Sequence, residues 1–273
     1  MPKAIPSRPA AAAPPRVRRG YFECRYGQLH VHNAIPSGGG FEEGTPLVCL
    51  HASPLSGRSF TRFLALAGVK RSVFAPDLPG FGDSDPPPPP AGVAEHAAAL
   101  GDFLDSMRLR QIDLLGHRFG ALVAAELAAA RPTQIRRLAL VSPPLMGDAT
   151  EPQPQAAAAD GSHLLEEWRR AATYCGSDAP PYAVTGVLAE RLRNASPAAA
   201  AATAERGYAL FPRLAPLTVP LLVLRLREDI DTNRRRARDV PARARIVELP
   251  DRGASLFETA PEAAVQALEA FLR

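Results

Sequence analysis

Short apolar runs alternate along this chain with longer segments of helical composition, and one stretch organises the rest. Ile112 to Leu115 is a brief apolar run that breaks at Gly116-His117-Arg118-Phe119-Gly120 and passes into Ala121 to Ala130, rich in Ala and Leu. The pattern predicts strand, abrupt turn and helix. Glycines two positions before and two after a central residue suit such a turn, because strand and helix pack so closely there that larger side chains would collide. Arg118 is then held at the tip, at the amino end of the new helix.

The other elements follow the same alternation. Tyr21 to Tyr26 and Leu29 to Ala34, joined at Gly27-Gln28, predict an opening antiparallel hairpin, and a Gly-rich loop follows at Gly38 to Gly40. Thr45 to Leu50 is a buried strand running into His51-Ala52-Ser53-Pro54, and a helix is expected from Ser56 to about Ala67. Ser72 to Ala75 is the next strand, leading into Asp77-Leu78-Pro79-Gly80-Phe81-Gly82-Asp83-Ser84. Pro86 to Pro90 form a stiff connector before a helix from Val93 to Met107. Pro132 stops the helix that follows Arg118, and Ile135 to Val141 is another strand. Strands and helices alternating at these lengths argue a mostly parallel, doubly wound sheet with helices on both faces.

The alternation then breaks. From Pro143 to Leu217 no strand is expected, and helices are predicted over Gly161 to Cys175, Tyr182 to Asn194, and Pro197 to Leu210 with Ser196 as cap. Strands resume at Pro220 to Leu224 and Ala244 to Leu249, and Pro261 to Leu272 closes the chain as a helix. The expected division is a tail at 1–19, a core at 20–142 and 218–273, and an inserted helical lid at 143–217.

Composition narrows the classes. A chain of 273 residues with 46% hydrophobic residues can bury a full core. The net charge of +4 belongs to the tail: Lys3, Arg8, Arg16, Arg18 and Arg19 stand there without an acid, leaving 27 of the 32 basic residues against 28 acids elsewhere. Nucleic acid is therefore not an expected partner. The Pro-, Ala- and Arg-rich tail lacks the apolar core of a signal peptide and reads as disordered. No run approaches the roughly 20 apolar residues of a membrane span. Cys24, Cys49 and Cys175 lack metal-ligand spacing and fit a reducing cytoplasm. No metal and no cofactor is expected.

The turn around Arg118 has the G-x-S-x-G spacing of the nucleophile elbow, and with it the chain resembles the α/β-hydrolase superfamily over about residues 21 to 273. His51-Ala52-Ser53-Pro54 resembles the family's His-Gly-x-Pro turn, whose backbone N–H groups help form an oxyanion hole. The Asp77 to Ser84 segment resembles the next family motif. The resemblance implies an α/β-hydrolase fold with an inserted lid and a triad in the chain order nucleophile, acid, base.

Carried over residue by residue, that triad is broken. Arg118 occupies the nucleophile position, and a guanidinium stays protonated and cannot attack. Asp229 is the first choice for the acid and Asp231 the second, in Leu226-Arg227-Glu228-Asp229, which lacks the family's glycine. The histidine position, after Gly253 and ahead of Pro261-Glu262, is Ala254. His117 reads as a packing residue and His51 as a brace for the oxyanion loop, while His96 and His163 fit the surface or the lid. Ser53 reads as a capping hydroxyl, Cys175 as a small buried residue, and Asp77 and Asp83 as loop braces. The arginines at 225, 227 and 234 to 236 read as a solvated rim. An arginine reaches roughly 6 to 7 Å, so Arg118 is expected to meet Asp229 across the space Ala254 leaves.

The expectation is a protein that binds a small anionic molecule, such as a carboxylate, under its lid, either as a non-hydrolytic enzyme or as a binding protein. His51, Ala52, Ser53, Phe119 and Trp168 are the expected ligand-binding residues beside Arg118 and Asp229. The alternatives are an active esterase-like hydrolase with a rearranged site and a partner-binding structural protein. No membrane partner is expected, and a homodimer is compatible with the sequence.

Overall fold

The computed structural model describes residues 15–36, 44–144, 157–232 and 240–273. The expected Gly-rich loop at Gly38 to Gly40, the first fourteen residues of the expected disordered tail, and Arg234, Arg235 and Arg236 lie outside the described residues. Eight strands form one sheet in the order β1-β2-β4-β3-β5-β6-β7-β8. β1 (Arg18–Cys24) and β2 (Gly27–Ala34) form the antiparallel hairpin, and β2 pairs antiparallel with β4 (Arg71–Pro76). From β4 onwards the sheet is parallel, through β3 (Gly44–Leu50), β5 (Ile112–His117), β6 (Ile135–Val141), β7 (Leu221–Leu226) and β8 (Arg245–Leu249). This is the α/β-hydrolase fold. Because β1 starts at Arg18, the last two bases of the expected tail belong to the sheet.

Side chains alternate along each central strand, and the two faces bury separate cores. Leu114, Leu138, Leu140 and Val223 face α2 (Val93–Ser106) and α3 (Phe119–Ala130). Leu115, Ala139, Val141, Leu222 and Leu224 face α1 (Thr61–Ala67) and the closing helices α9 (Leu256–Thr259) and α10 (Pro261–Leu272). α3 is buried almost all round, because a second layer of helices covers its outer side.

That layer lies between β6 and β7: α4 (Ser162–Cys175), α5 (Pro181–Arg193), α6 (Ala195–Gly207) and the short α7 (Leu210–Leu214). The sequence predicts one helix over Pro197 to Leu210. The observed helix starts earlier, at Ala195, and stops at Gly207, and a new turn begins at Leu210. A three-ten turn, Gly57–Phe60, likewise precedes α1 where a single helix is expected from Ser56. α8 (Arg227–Thr232) follows β7 directly.

Polar side chains tie the insertion to the core. Asn194, between α5 and α6, donates from Nδ2 to the Pro54 carbonyl at 2.9 Å and accepts from the Gly82 N–H at 2.9 Å. Within the insertion, Arg191 Nε meets Glu167 Oε2 at 2.8 Å in a fully buried pair. At the opposite end of the sheet Asp113, wholly buried on β5, accepts from Arg71 on β4 at 2.7 Å and from Arg136 on β6 at 2.6 and 2.8 Å.

Candidate active site

The elbow geometry follows from its two glycines. A Cβ on Gly116 would lie 2.3 Å from the Gly120 carbonyl oxygen, and one on Gly120 would lie 2.3 Å from that of Leu50. Neither clash can be relieved without moving backbone, so strand and helix approach this closely only with glycine at both places. Between them Arg118 is held at φ 49°, ψ −115°, the strained left-handed region that costs a side-chain-bearing residue roughly 1 to 3 kcal/mol. Its N–H donates to the Val141 carbonyl at 2.9 Å, which fastens the tip to the end of β6. The residue at this tip is a half-buried arginine.

The acid position is well formed. Asp229 sits in α8, and its Oδ2 accepts from Ser142 Oγ at 2.5 Å and from the Leu226 N–H at 2.8 Å. Burial raises its pKa, opposed by the Ser142 hydroxyl, by the Leu226 amide and by the charge of Arg118. A serine hydroxyl and a backbone amide thus hold this carboxylate, and the charge of Arg118 also bears on it. Ser142, just past β6, is itself at φ 44°. The side chain of Asp231 lies outside the described residues.

The expected histidine position is filled by packing. Ala254 is 5% exposed and joins Ala52, Leu55, Ala171, Tyr174 and Cys175 in one apolar cluster, so α4 and α5 bear on both the Ala52 turn and Ala254. Its N–H donates to Glu228 Oε1 at 3.2 Å, and the Arg227 N–H donates to the Arg252 carbonyl at 2.9 Å. These bonds couple the loop after β8 to the start of α8.

The oxyanion turn is braced by His51. Its Nε2 accepts from the Leu78 N–H at 2.9 Å, and its Nδ1 lies 2.9 Å from the Ala52 carbonyl. Nδ1 must carry the proton to serve the second contact, so the ring is neutral, and burial lowers its pKa. Ser53 is half-buried in the same turn. Phe119 turns its ring into the core against His96, at 5.4 Å and 87° between planes, leaving its backbone to face the elbow.

Other assignments change. His96, expected at the surface or in the lid, is buried and held neutral, its pKa pushed down to about 4 by desolvation. His117, by contrast, packs edge-on against Phe257 as the sequence suggests, and desolvation takes its pKa to about 3. Arg225 is not part of a solvated rim: it is buried, pairs with Glu248 at 2.6 Å and donates to the Asp229 carbonyl oxygen at 2.9 Å. Trp168, expected in the ligand space, stands exposed on α4, which turns Glu167, Ala171, Tyr174 and Cys175 inward.

His30, His32 and Asp77 form the one cluster of potential metal ligands among the described residues. Asp77 Oδ1 accepts from the Gly57 N–H at 2.7 Å, and Oδ2 accepts from the Asp83 N–H and faces His30 Nδ1, both at 2.9 Å. Both carboxylate oxygens are thus committed to bracing loops, as the sequence suggests for Asp77. Sequence reading missed Ser142, Asn194 and Glu258. None carries a local signal, since each acts through a partner distant in the chain.

Comparison with known proteins agrees with the geometry. A model of the alpha/beta hydrolase family matches residues 47–267. "Epoxide hydrolase 2" of Siraitia grosvenorii is 35% identical over 104 residues, 36% of this chain and 32% of that protein. "Lipase LipV" of Mycobacterium tuberculosis is 34% identical over 138 residues, 50% of this chain and 46% of that protein. The chain thus matches less than half the length of these curated relatives. The enol-lactonase from Burkholderia xenovorans LB400 superposes with a TM-score of 0.78 at 20% identity, over 93% of this chain and 99% of that one. With the sheet order, the elbow and the family match in agreement, this chain belongs to the alpha/beta hydrolase family.

Proposed function

We propose that this family member does not hydrolyse by the Ser-His-Asp route and instead binds a small anionic molecule, such as a carboxylate, between the elbow and helices α4 to α7, which act as its lid. The observation that carries the reading is Arg118 at the strained elbow tip, where the family's chemistry requires a nucleophile. A fixed guanidinium, the amino end of the twelve-residue helix α3 and the amides of the Ala52 turn all favour negative charge. Asp229 lies within the field of Arg118 and balances its charge, and a guanidinium offers five N–H donors. Phe119 contributes its backbone, and His51 and Ser53 shape the turn.

The experiment is paired. Fluorophosphonate probes should leave the purified protein unlabelled, and calorimetric titration with small carboxylic acids should find a binder that Arg118→Ala weakens about ten- to a hundredfold, the effect of losing a charge-assisted contact of roughly 1.5 to 3 kcal/mol. Unchanged affinity for the best binder would end this reading.

One observation favours a second reading, an active hydrolase with a rearranged site. Ser142 carries a hydroxyl 2.5 Å from the acid, on a strained backbone at the carboxyl end of β6. Probe labelling that disappears in Ser142→Ala would move the chemistry there.

A further inference from the structure

β2 presents two imidazoles on one face. His30 and His32 stand two positions apart on the strand, so their side chains share a side of the sheet. Both are buried, and their rings lie 4.7 Å apart, centre to centre, at 84°. Asp77, just past β4, turns its buried carboxylate towards both: His30 Nδ1 is 2.9 Å from Oδ2, and His32 Nε2 is 4.0 Å from Oδ1. One ligand atom from each of the three lies within 4.8 Å of the others.

Loop bracing leaves part of this cluster unexplained. A carboxylate offers about four acceptor sites. The Gly57 N–H takes one on Oδ1, and the Asp83 N–H and His30 take those on Oδ2. The remaining site is on Oδ1, the oxygen that faces His32 across 4.0 Å, which is too long for a hydrogen bond. A gap of that length equals about two zinc–ligand bonds, each roughly 2.0 to 2.1 Å.

The donor chemistry selects the ion. Two imidazoles and one carboxylate suit zinc, whereas calcium and magnesium take oxygen ligands. We propose that His30, His32 and Asp77 form a zinc site that clips β2 to the segment after β4, with a water as fourth ligand. His30 gives up its hydrogen bond to Asp77 and offers Nδ1 by carrying its proton on Nε2. Asp77 coordinates through Oδ1 and keeps its two amide bonds, the outer-shell support usual for a ligating carboxylate. The ligands of one tetrahedral ion lie about 3.3 Å apart, so a closure of about 1 to 1.5 Å brings together three atoms that stand within 4.8 Å. Because the Leu78 N–H donates to His51, which braces the Ala52 turn, the ion stiffens that turn as well.

The test is titration of the full chain, free of any tag and stripped by a chelator, with zinc and separately with cobalt at pH 7. Calorimetry should find one saturable zinc per chain, and added zinc should raise the melting midpoint. Cobalt should give the visible d–d bands of a four-coordinate nitrogen and oxygen site, without a thiolate charge-transfer band. His32→Ala should weaken zinc by about a hundredfold or more, beyond the roughly 10- to 100-fold cost of losing an outer-shell partner, while His163→Ala, on α4, should leave it unchanged. Should His32→Ala fail to fold, His32→Gln serves, since it keeps a polar side chain without the imidazole, and the cobalt spectrum of the wild type needs no variant. Absence of saturable zinc, a thiolate band, loss of binding in His163→Ala, or affinity indifferent to the His32 variant would overturn the proposal.

Discussion

Ser142 Oγ donates to Asp229 Oδ2 at 2.5 Å, which joins the end of β6 to the first turn after β7 and ties a strained residue to the expected acid. Ser142 holds φ 44°. Two substitutions separate the hydrogen bond from the strain. Ser142→Ala removes a charge-assisted bond worth roughly 1.5 to 3 kcal/mol and keeps the strained backbone. Ser142→Gly removes the same bond but relaxes the backbone, recovering on the order of 1 kcal/mol. Urea unfolding should therefore rank wild type above Gly and Gly above Ala, and an Ala variant equal to wild type would show that the bond contributes nothing.

Packing around Ala254 sets the cost of placing a histidine there. The site is occupied by the Ala52, Tyr174 and Cys175 cluster, so Ala254→His inserts an imidazole into filled space and should cost about 1 to 3 kcal/mol. Thermal melts would register this as a lower midpoint. Arg118→Ser combined with Ala254→His should accordingly show no p-nitrophenyl esterase activity unless the insertion is displaced, and robust turnover by the double variant would mean that the cluster yields easily.

The pH profile of stability has two opposed limbs. Glu258, raised by burial from 4.5 to about 8, keeps in the folded state a proton that the unfolded chain releases, so stability is lost as pH rises through about 8. Buried His32, His96 and His117 are lowered by desolvation from 6.5 to about 4, about 4 and about 3, so the unfolded chain gains protons that the folded one refuses as pH falls below 6.5. Stability should peak near neutrality. Melting midpoints at pH 6.5 and 8.5 should differ for the wild type, and Glu258→Gln should abolish that difference. An equal fall in both proteins would assign the alkaline limb elsewhere.

Asp113 is the most consequential buried charge at the far end of the sheet. Arg71 and Arg136 converge on it, and both also donate to the Leu272 carbonyl, so one carboxylate holds β4, β5, β6 and the end of α10 together. Asp113→Ala should destabilise by about 3 to 5 kcal/mol, because it strands two guanidiniums. Denaturant midpoints measure this, and a loss below about 1 kcal/mol would mean that solvent reaches both arginines.

Asn194 fastens the insertion to the core through Pro54 and Gly82. Asn194→Ala leaves buried backbone groups unpaired at about 1 to 3 kcal/mol and should speed hydrogen exchange of amides in α5 and α6 before those of α3. Uniform acceleration across the whole chain would mean that the insertion and core open as one unit.

The elbow, the alternation of strands and helices, the packing role of His117 and the brace at Asp77 are legible in the sequence because each rests on spacing within a few residues. The exposure of Trp168 and the burial of His96 and Arg225 are not. Residue type gives a helical aromatic or a strand-end arginine no direction until the neighbouring layer is present.

What the chain determines by itself is local: where backbone must pass close to backbone, as at Gly116 and Gly120, and that the tip between them carries a charge where the family carries a nucleophile. What only the tertiary structure decides is which groups meet. Ser142 and Asp229 are 87 positions apart, Asn194 and Pro54 140, and Tyr174 and Glu258 84. Those meetings depend on strand order and on the insertion's docking, which sum many weak contacts over both sheet faces, and no short stretch of sequence carries that sum.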